Sequence, residues 1–293
     1  MFRKMSAGDR WYVGFAYLCL VLFTLVVALP ILNLIAVALS GANPVTAGLV
    51  GLWPKEAQLA AFNYVLESKQ FFTSLTVSAR MTIIGSVLGV LLSVMAAYPL
   101  SKPKLPYRKP LLLAFVFTMM FSGGVVPQYL LIHQLNLLNT VWAVIFPSIT
   151  SVFNLLLVKN FFEGLPDEVE ESAKIDGASQ LVTLFRIFLP IAKPVIATIF
   201  LFYTVALWNE YFLSRLYFTD MSVTPLQVYL RTVIFEAMDP SGSFNLSSGA
   251  VVNISPKSII NATIILSMLP MVILYPMLQR YFTKGIVVGS VKG

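Results

Sequence analysis

The chain has 293 residues, of which 58% are hydrophobic and only 11% charged, whereas soluble domains carry roughly 25% charged residues. With a mean hydropathy of +0.82, its apolar residues exceed what one soluble core hides, which argues against a soluble enzyme and for an integral membrane protein. The net charge of +7 comes from Lys and Arg scattered between apolar blocks, not from a nucleic-acid-binding stripe, and single Cys19 and His133 leave no disulfide framework or zinc cluster.

In chain order, six apolar segments cover residues 11–40, 74–100, 111–126, 141–158, 194–213 and 258–278. Most approach the ~20 residues that cross a bilayer as a helix. They predict an all-α polytopic bundle of six transmembrane helices, a single membrane domain over residues 1–293. The first is too long for a signal-peptide core and lacks a clean cleavage site, so it reads as an uncleaved helix. In the second, Gly85, Gly89, Ser93 and Ala97 recur four apart, a ridge of small residues along which another helix can approach. Segments 41–73 and 214–257 are polar and read as external loops, and His133 reads as an external-loop residue.

Lys and Arg gather on alternate hydrophilic segments. One side holds Arg3, Lys4, Arg10, Lys102, Lys104, Arg108, Lys109, Lys159, Lys174, Arg186, Lys193, Arg280, Lys284 and Lys292. The other holds Lys55, Lys69, Arg215, Arg231 and Lys257, with Arg80 just inside a span. The positive-inside rule then places both termini in the cytoplasm.

The longest cytoplasmic loop, residues 161–193, carries six of the thirteen acidic residues. Pro166 suits a first helical turn, Asp167 and Glu168 favour the positive end of the helix dipole, and Gly177 is placed to end the helix left-handed. On a helix of about three turns, Val169, Ser172, Ala173 and Asp176 share a face, and Glu170 and Lys174 form an i to i+4 pair. A second helix is expected to place Leu181, Leu184, Phe185 and Phe188 on one apolar stripe and to end at Pro190.

At this loop the sequence resembles a known family. Glu171, Ser172, Ala173, Gly177, Ile187, Leu189 and Pro190 follow the motif E-A-A-x3-G-x9-I-x-L-P of permease subunits in binding-protein-dependent ABC importers, with Ser172 as the one departure. The run Trp208, Asn209, Glu210, Tyr211 resembles carbohydrate-type permeases of the maltose class. The tail QRYFTKGIVVGSVKG at 279–293 is similar to that of the maltose-type partner subunit, which reaches into the ATPase interface. The stretch FSGGVVPQ at 121–128 looks more like the branch serving larger or acidic saccharides such as alginate.

The resemblance implies the type I importer permease fold in a bacterial plasma membrane and a non-catalytic subunit. This chain has no G-x4-G-K-[ST] phosphate loop. It would bind no cofactor, with ATP and magnesium held by two partner ATPase subunits. A second homologous permease, an external solute-binding protein, a saccharide substrate and membrane lipid complete the expected partners; nucleic acid is not among them. Glu170, Glu171, Ser172, Ala173, Asp176, Gly177, Ile187, Leu189, Pro190 and Lys284 are the expected coupling residues toward the ATPase. Trp208, Asn209, Glu210, Tyr211, Tyr203 and Asn154 are the candidates for the substrate pathway. Interfacial anchoring for Trp208 and Tyr211, and bonding between helices for Asn154, stay open beside it. A neutral malto-type and an acidic alginate-type oligosaccharide both fit. The rival reading is a secondary transporter, which more often shows inverted repeats and mid-membrane carboxylates; neither is evident here.

Overall fold

The computed structural model describes residues 7–121, 123–238 and 254–289, and among them every regular element is a helix. Those used below are α1 (Ala7–Ala38), α2 (Ala42–Thr46), α3 (Ala60–Glu67), α4 (Lys69–Ser101), α5 (Arg108–Met120), α6 (Val125–Gln134), α7 (Trp142–Ser148) and α8 (Val152–Glu163). They continue with α9 (Asp167–Ile175), α10 (Gln180–Ile191), α11 (Lys193–Trp208), α12 (Phe212–Tyr217), α13 (Leu226–Met238) and α14 (Pro256–Gly289).

Three stretches, Trp11–Ala38, Lys69–Ser101 and Pro256–Met277, are long and apolar enough to cross a bilayer unaided. The other three expected spans are broken. The third, expected over 111–126, stops at Met120, and α6 starts after Gly124, whose φ of 86° only glycine adopts without strain. His133, expected in a loop, lies in the last turn of α6. The fourth splits into α7 and α8, bent by 48°. Pro147 lies in the last turn of α7, and the Ser151 hydroxyl accepts the Asn154 N–H at 3.3 Å to start α8.

The fifth, expected to run on to Leu213, ends at Trp208. There the Asn209 amide donates to the Val205 carbonyl at 2.9 Å, satisfying a helix-end acceptor. The Glu210 carboxylate accepts the Leu213 N–H at 2.8 Å and starts α12. Polar residues in an apolar run thus act here as helix punctuation.

The chain divides into two compact units, Met1–Lys69 with Leu230–Met268, and Gln70–Tyr229 with Leu269–Gly293. In the first, none of the apolar window of α1 is buried, as in a helix whose surface is left to lipid or another subunit. Only its C-terminal end is packed, with Ala36, Val37 and Ala38 buried and the Ser258 hydroxyl donating to the Val37 carbonyl at 3.1 Å.

The second unit is built on α4. One apolar cluster joins Val94, Ala97 and Tyr98 of α4 to Val158 and Phe162 of α8, Leu184 and Phe188 of α10, and Val195 and Ile199 of α11. The expected small ridge is where α11 packs: Gly85 lies under Leu207 and Gly89 under the Tyr203 ring. Ser93 shares a hydrogen bond of 2.8 Å with the Tyr203 hydroxyl. That hydroxyl also donates to the Ile149 carbonyl and accepts the Ser151 N–H, both at 3.1 Å.

Tyr203 therefore fastens α4 and α11 to the break between α7 and α8. Tyr203→Phe leaves the Ser151 N–H and Ile149 carbonyl short of a partner, a loss of about 1–3 kcal/mol. We expect a lower melting temperature in detergent with membrane insertion unchanged; an unaltered melting temperature counts against this role.

Candidate functional site

The loop expected to carry the coupling chemistry is a helix, a turn and a helix. α9 has nine residues, with Asp167, Glu168 and Glu170 in its first turn, where carboxylates meet the positive end of the dipole. Pro166 sits one position earlier than expected, at the N-cap. At the other end Gly177 has φ 75°. Its N–H donates to the Lys174 carbonyl at 3.1 Å, and the Ala178 N–H reaches back to the Ala173 carbonyl at 2.9 Å. This pair of bonds is the Schellman motif, which turns the chain sharply out of a helix.

The second helix departs from its expected form. It continues through Pro190 to Ile191, with a π-helical segment at Thr183–Phe188. Proline lacks an N–H and crowds the carbonyl four residues earlier, and a π-turn is a place where the ladder absorbs such an irregularity. Leu184 and Phe188 enter the core while Leu181 and Phe185 stay exposed, so the four do not form one buried stripe. α10 then meets α11 at 85° across the buried Ala192.

Two opposite faces of α9 separate the expected coupling residues. Glu171, Ser172, Asp176 and Gly177 are exposed, whereas Ala173 is buried at 3%. The Ser172 hydroxyl is turned to the Val169 carbonyl at 3.1 Å. Ile187 and Leu189 pack against the α4–α8–α10 cluster, and Pro190 is exposed. α14 continues as helix to Gly289; the side chain of Lys284 and residues 290–293 of the tail lie outside the described residues.

Glu170 faces inward. One carboxylate oxygen takes the Lys174 ammonium at 2.7 Å, as the spacing indicated, and the other takes Lys102, just past the end of α4. Burial pushes the Glu170 carboxyl up, but hydrogen bonds and charge from Lys102 and Lys174 outweigh it and hold the carboxyl below its ordinary value.

A carboxyl held down by its partners stabilises the fold above its unfolded pKa, and that stabilisation is lost as pH falls through the lowered value. The groups around it are Lys102 and Lys174, with the Tyr98 ring under the Lys102 ammonium. We expect the stability difference between the native chain and Glu170→Gln to be full at pH 7 and to vanish below the ordinary glutamate range. A difference that persists in acid would contradict the pairing.

Beside these pairs lies a groove of about 1020 Å³, lined by the ends of α4, α8, α9 and α10 and by the loop at 102–107. Sequence reasoning missed Lys102, Arg108 and Glu163 as partners here. Arg108 pairs with Glu163, which Lys159 also holds at 2.7 Å. Only the Lys159–Glu163 spacing was open to inspection, as an i to i+4 pair.

The pathway candidates fall into two groups. Trp208 ends α11, and Asn209, Glu210 and Tyr211 form the link to α12. Trp208 is buried, with its carbonyl accepting from Gln227 at 3.1 Å, and Asn209 is exposed. Tyr203 and Asn154, both buried, converge on Ser151.

Comparison with known proteins agrees with this architecture. Residues 76–288 match the family described as binding-protein-dependent transport system inner membrane component. The chain is 39% identical over 287 residues to the polygalacturonan/rhamnogalacturonan transport system permease protein YtcP of Bacillus subtilis (strain 168), covering 97% of this chain and 99% of that protein. Protein LplC of the same organism is 40% identical over 266 residues, or 90% of this chain and 89% of LplC. A chain in the crystal structure of a bacterial ABC transporter involved in the import of the acidic polysaccharide alginate superposes with a TM-score of 0.87 at 32% identity, covering 95% of this chain and 99% of that one. With the family match over residues 76–288 and the relative and the fold in agreement over nearly the whole length, the chain belongs to the inner-membrane permease components of binding-protein-dependent ABC transporters.

Proposed function

We propose that this permease forms half of the translocation pathway of an ATP-driven importer for an acidic oligosaccharide. The observation that carries the substrate class is a convergence of two similarities. The B. subtilis relative is named for polygalacturonan and rhamnogalacturonan, and the structural neighbour for the acidic polysaccharide alginate. A more distant relative, at 27% identity, is named for arabinooligosaccharides, so a neutral substrate is the outcome that would displace this reading.

In this reading the chain crosses the membrane six times, each bent helix pair counting as one span, with both termini in the cytoplasm as the distribution of Lys and Arg indicates. The loop at 161–193 then faces two ATPase subunits, which bind ATP and magnesium, while this chain binds no cofactor. A second permease completes the pathway, and an external solute-binding protein delivers the sugar. The structure of an alginate transporter in complex with an alginate pentasaccharide-bound periplasmic protein supports that last partner by its fold.

The exposed edge of α9, with Glu171, Ser172 and Asp176 held rigid by the turn at Gly177, would dock on the ATPase. Closure of the ATPase pair would rock the spans between inward-open and outward-open states. Around Trp208 and Tyr211, aromatic faces suit sugar rings.

The test is to purify the chain with its bound partners, reconstitute the complex, and compare ATP hydrolysis with binding protein loaded with oligogalacturonides or with neutral oligosaccharides. Stimulation by the acidic sugars supports the proposal. Stimulation only by neutral sugars refutes the substrate class, and absence of any ATPase from the preparation refutes the importer.

A further inference from the structure

The residue that joins α9 to α4 lies far in sequence from both the E-A-A motif and the pathway candidates. In sequence, α9 connects directly to α8 and α10, and four helices separate it from α4. In space, Lys102 at the end of α4 pairs with Glu170 of α9. Its ammonium also lies over the rings of Tyr98 in α4, at 4.5 Å, and Phe188 in α10, at 4.3 Å. Tyr98 in turn donates to Gln180 of α10 at 2.8 Å.

The pair is largely enclosed, with 24% of the Lys102 and 14% of the Glu170 side chain exposed. Solvent therefore screens it less than a surface ion pair, and both ring faces favour the cation. The same loop is tied at its other end, where Arg108 pairs with Glu163 of α8 and donates to the Leu100 carbonyl at 2.7 Å.

Displacing α9 alone would draw the Glu170 carboxylate away from an ammonium that α4 and α10 hold in place. Moving α4 together with α9 keeps the Lys102–Glu170 pair. We propose that the Lys102–Glu170 pair is a mechanical link that delivers displacement of α9 directly to α4, which makes Lys102 a positioning residue for transport. This rests on the reading of α9 as the helix that meets the ATPase. It adds a second route to the one along the chain through α10 and α11, and it ends on the helix whose small ridge seats Tyr203 and Leu207.

The experiment uses the whole importer in lipid vesicles and reads substrate taken up per ATP hydrolysed, counting only complexes that retain their ATPase subunits. Lys102→Gln and Glu170→Gln are expected to lower that ratio by roughly 3- to 30-fold. Lys102→Arg, which keeps a cation that can lie over both rings and pair with Glu170, is expected to restore most of it. A purely structural role would reduce the number of assembled complexes and leave the ratio of the survivors unchanged.

Gly177→Val is measured alongside. If it uncouples while Lys102→Gln keeps the native ratio, the link is wrong and the coupling role of α9 stands. If neither alters the ratio, both fail. A Lys102→Arg variant as impaired as Lys102→Gln also overturns the link, since the charge would then not be what matters.

Discussion

Gly177→Val is expected to leave the permease in the membrane at near-native abundance while cutting substrate uptake at least about tenfold, a factor that corresponds to ~1.4 kcal/mol. The cause is conformational. A Cβ at position 177 meets nothing within 4 Å, but φ there is 75°, and a β-branched residue in that region is strained by about 1–3 kcal/mol. Relief of that strain breaks the bonds to the Lys174 and Ala173 carbonyls and lets the last turn of α9 swing. The exposed edge carrying Glu171, Ser172 and Asp176 then loses its fixed direction. Gly177→Asn is the control, because asparagine visits left-handed backbone with little penalty; it should retain most uptake. Uptake of labelled oligosaccharide, normalised to permease abundance by immunoblot, separates the two, and equal loss in both variants would show that strain is not the cause.

Gly89→Leu is expected to have the opposite profile, removing the protein and not merely its activity. A Cβ at 89 would sit 2.8–2.9 Å from the Tyr203 ring, inside van der Waals contact. The ring cannot yield, because its hydroxyl is held by Ser93, Ile149 and Ser151. Overpacking at such a site costs about 1–3 kcal/mol or more, so we expect loss of monodisperse protein in detergent and a fall in melting temperature. Gly85 offers a comparison along the same ridge. There the nearest atom, at 2.5 Å, is the end of the Leu207 side chain, which can rotate away, so Gly85→Ala should be milder than Gly89→Ala. The reverse order would contradict the close contact between α4 and α11.

Much of this architecture was legible because it is local. Apolar run length marked the long helices α1, α4 and α14, four-residue spacing of small side chains marked the face of α4 that meets α11, and Pro166 with Gly177 bounded α9 to within a residue. The breaks were not legible, since they depend on single backbone and side-chain events inside apolar sequence. Gly124 takes a positive φ, Ser151 starts a helix, and Glu210, one of the expected pathway residues, accepts the Leu213 N–H in the first turn of α12. In α10, the expected stripe assumed a regular helix where a π-segment rotates Leu181 and Phe185 out of the core. Lys102 and Glu170, 68 positions apart, share no periodicity that a one-dimensional reading detects. Ala173 shows the same limit: it stands among the expected coupling residues, and the structure buries it within its own chain.

The most direct measurement of the central claim is site-specific crosslinking from the exposed edge of α9. Cys19 is the only cysteine and is free, so Cys19→Ser followed by Ser172→Cys gives a chain with one thiol, at the centre of the E-A-A motif. A short heterobifunctional crosslinker attached to that thiol in native membranes should join the permease to an ATP-binding subunit identified by mass spectrometry. The yield should change when ATP and magnesium are supplied, and a cysteine placed at Ser222, in the segment expected to be external, should give no such product. Equal crosslinking from both positions, or products containing only the permease itself, would contradict an ATPase docked on this loop.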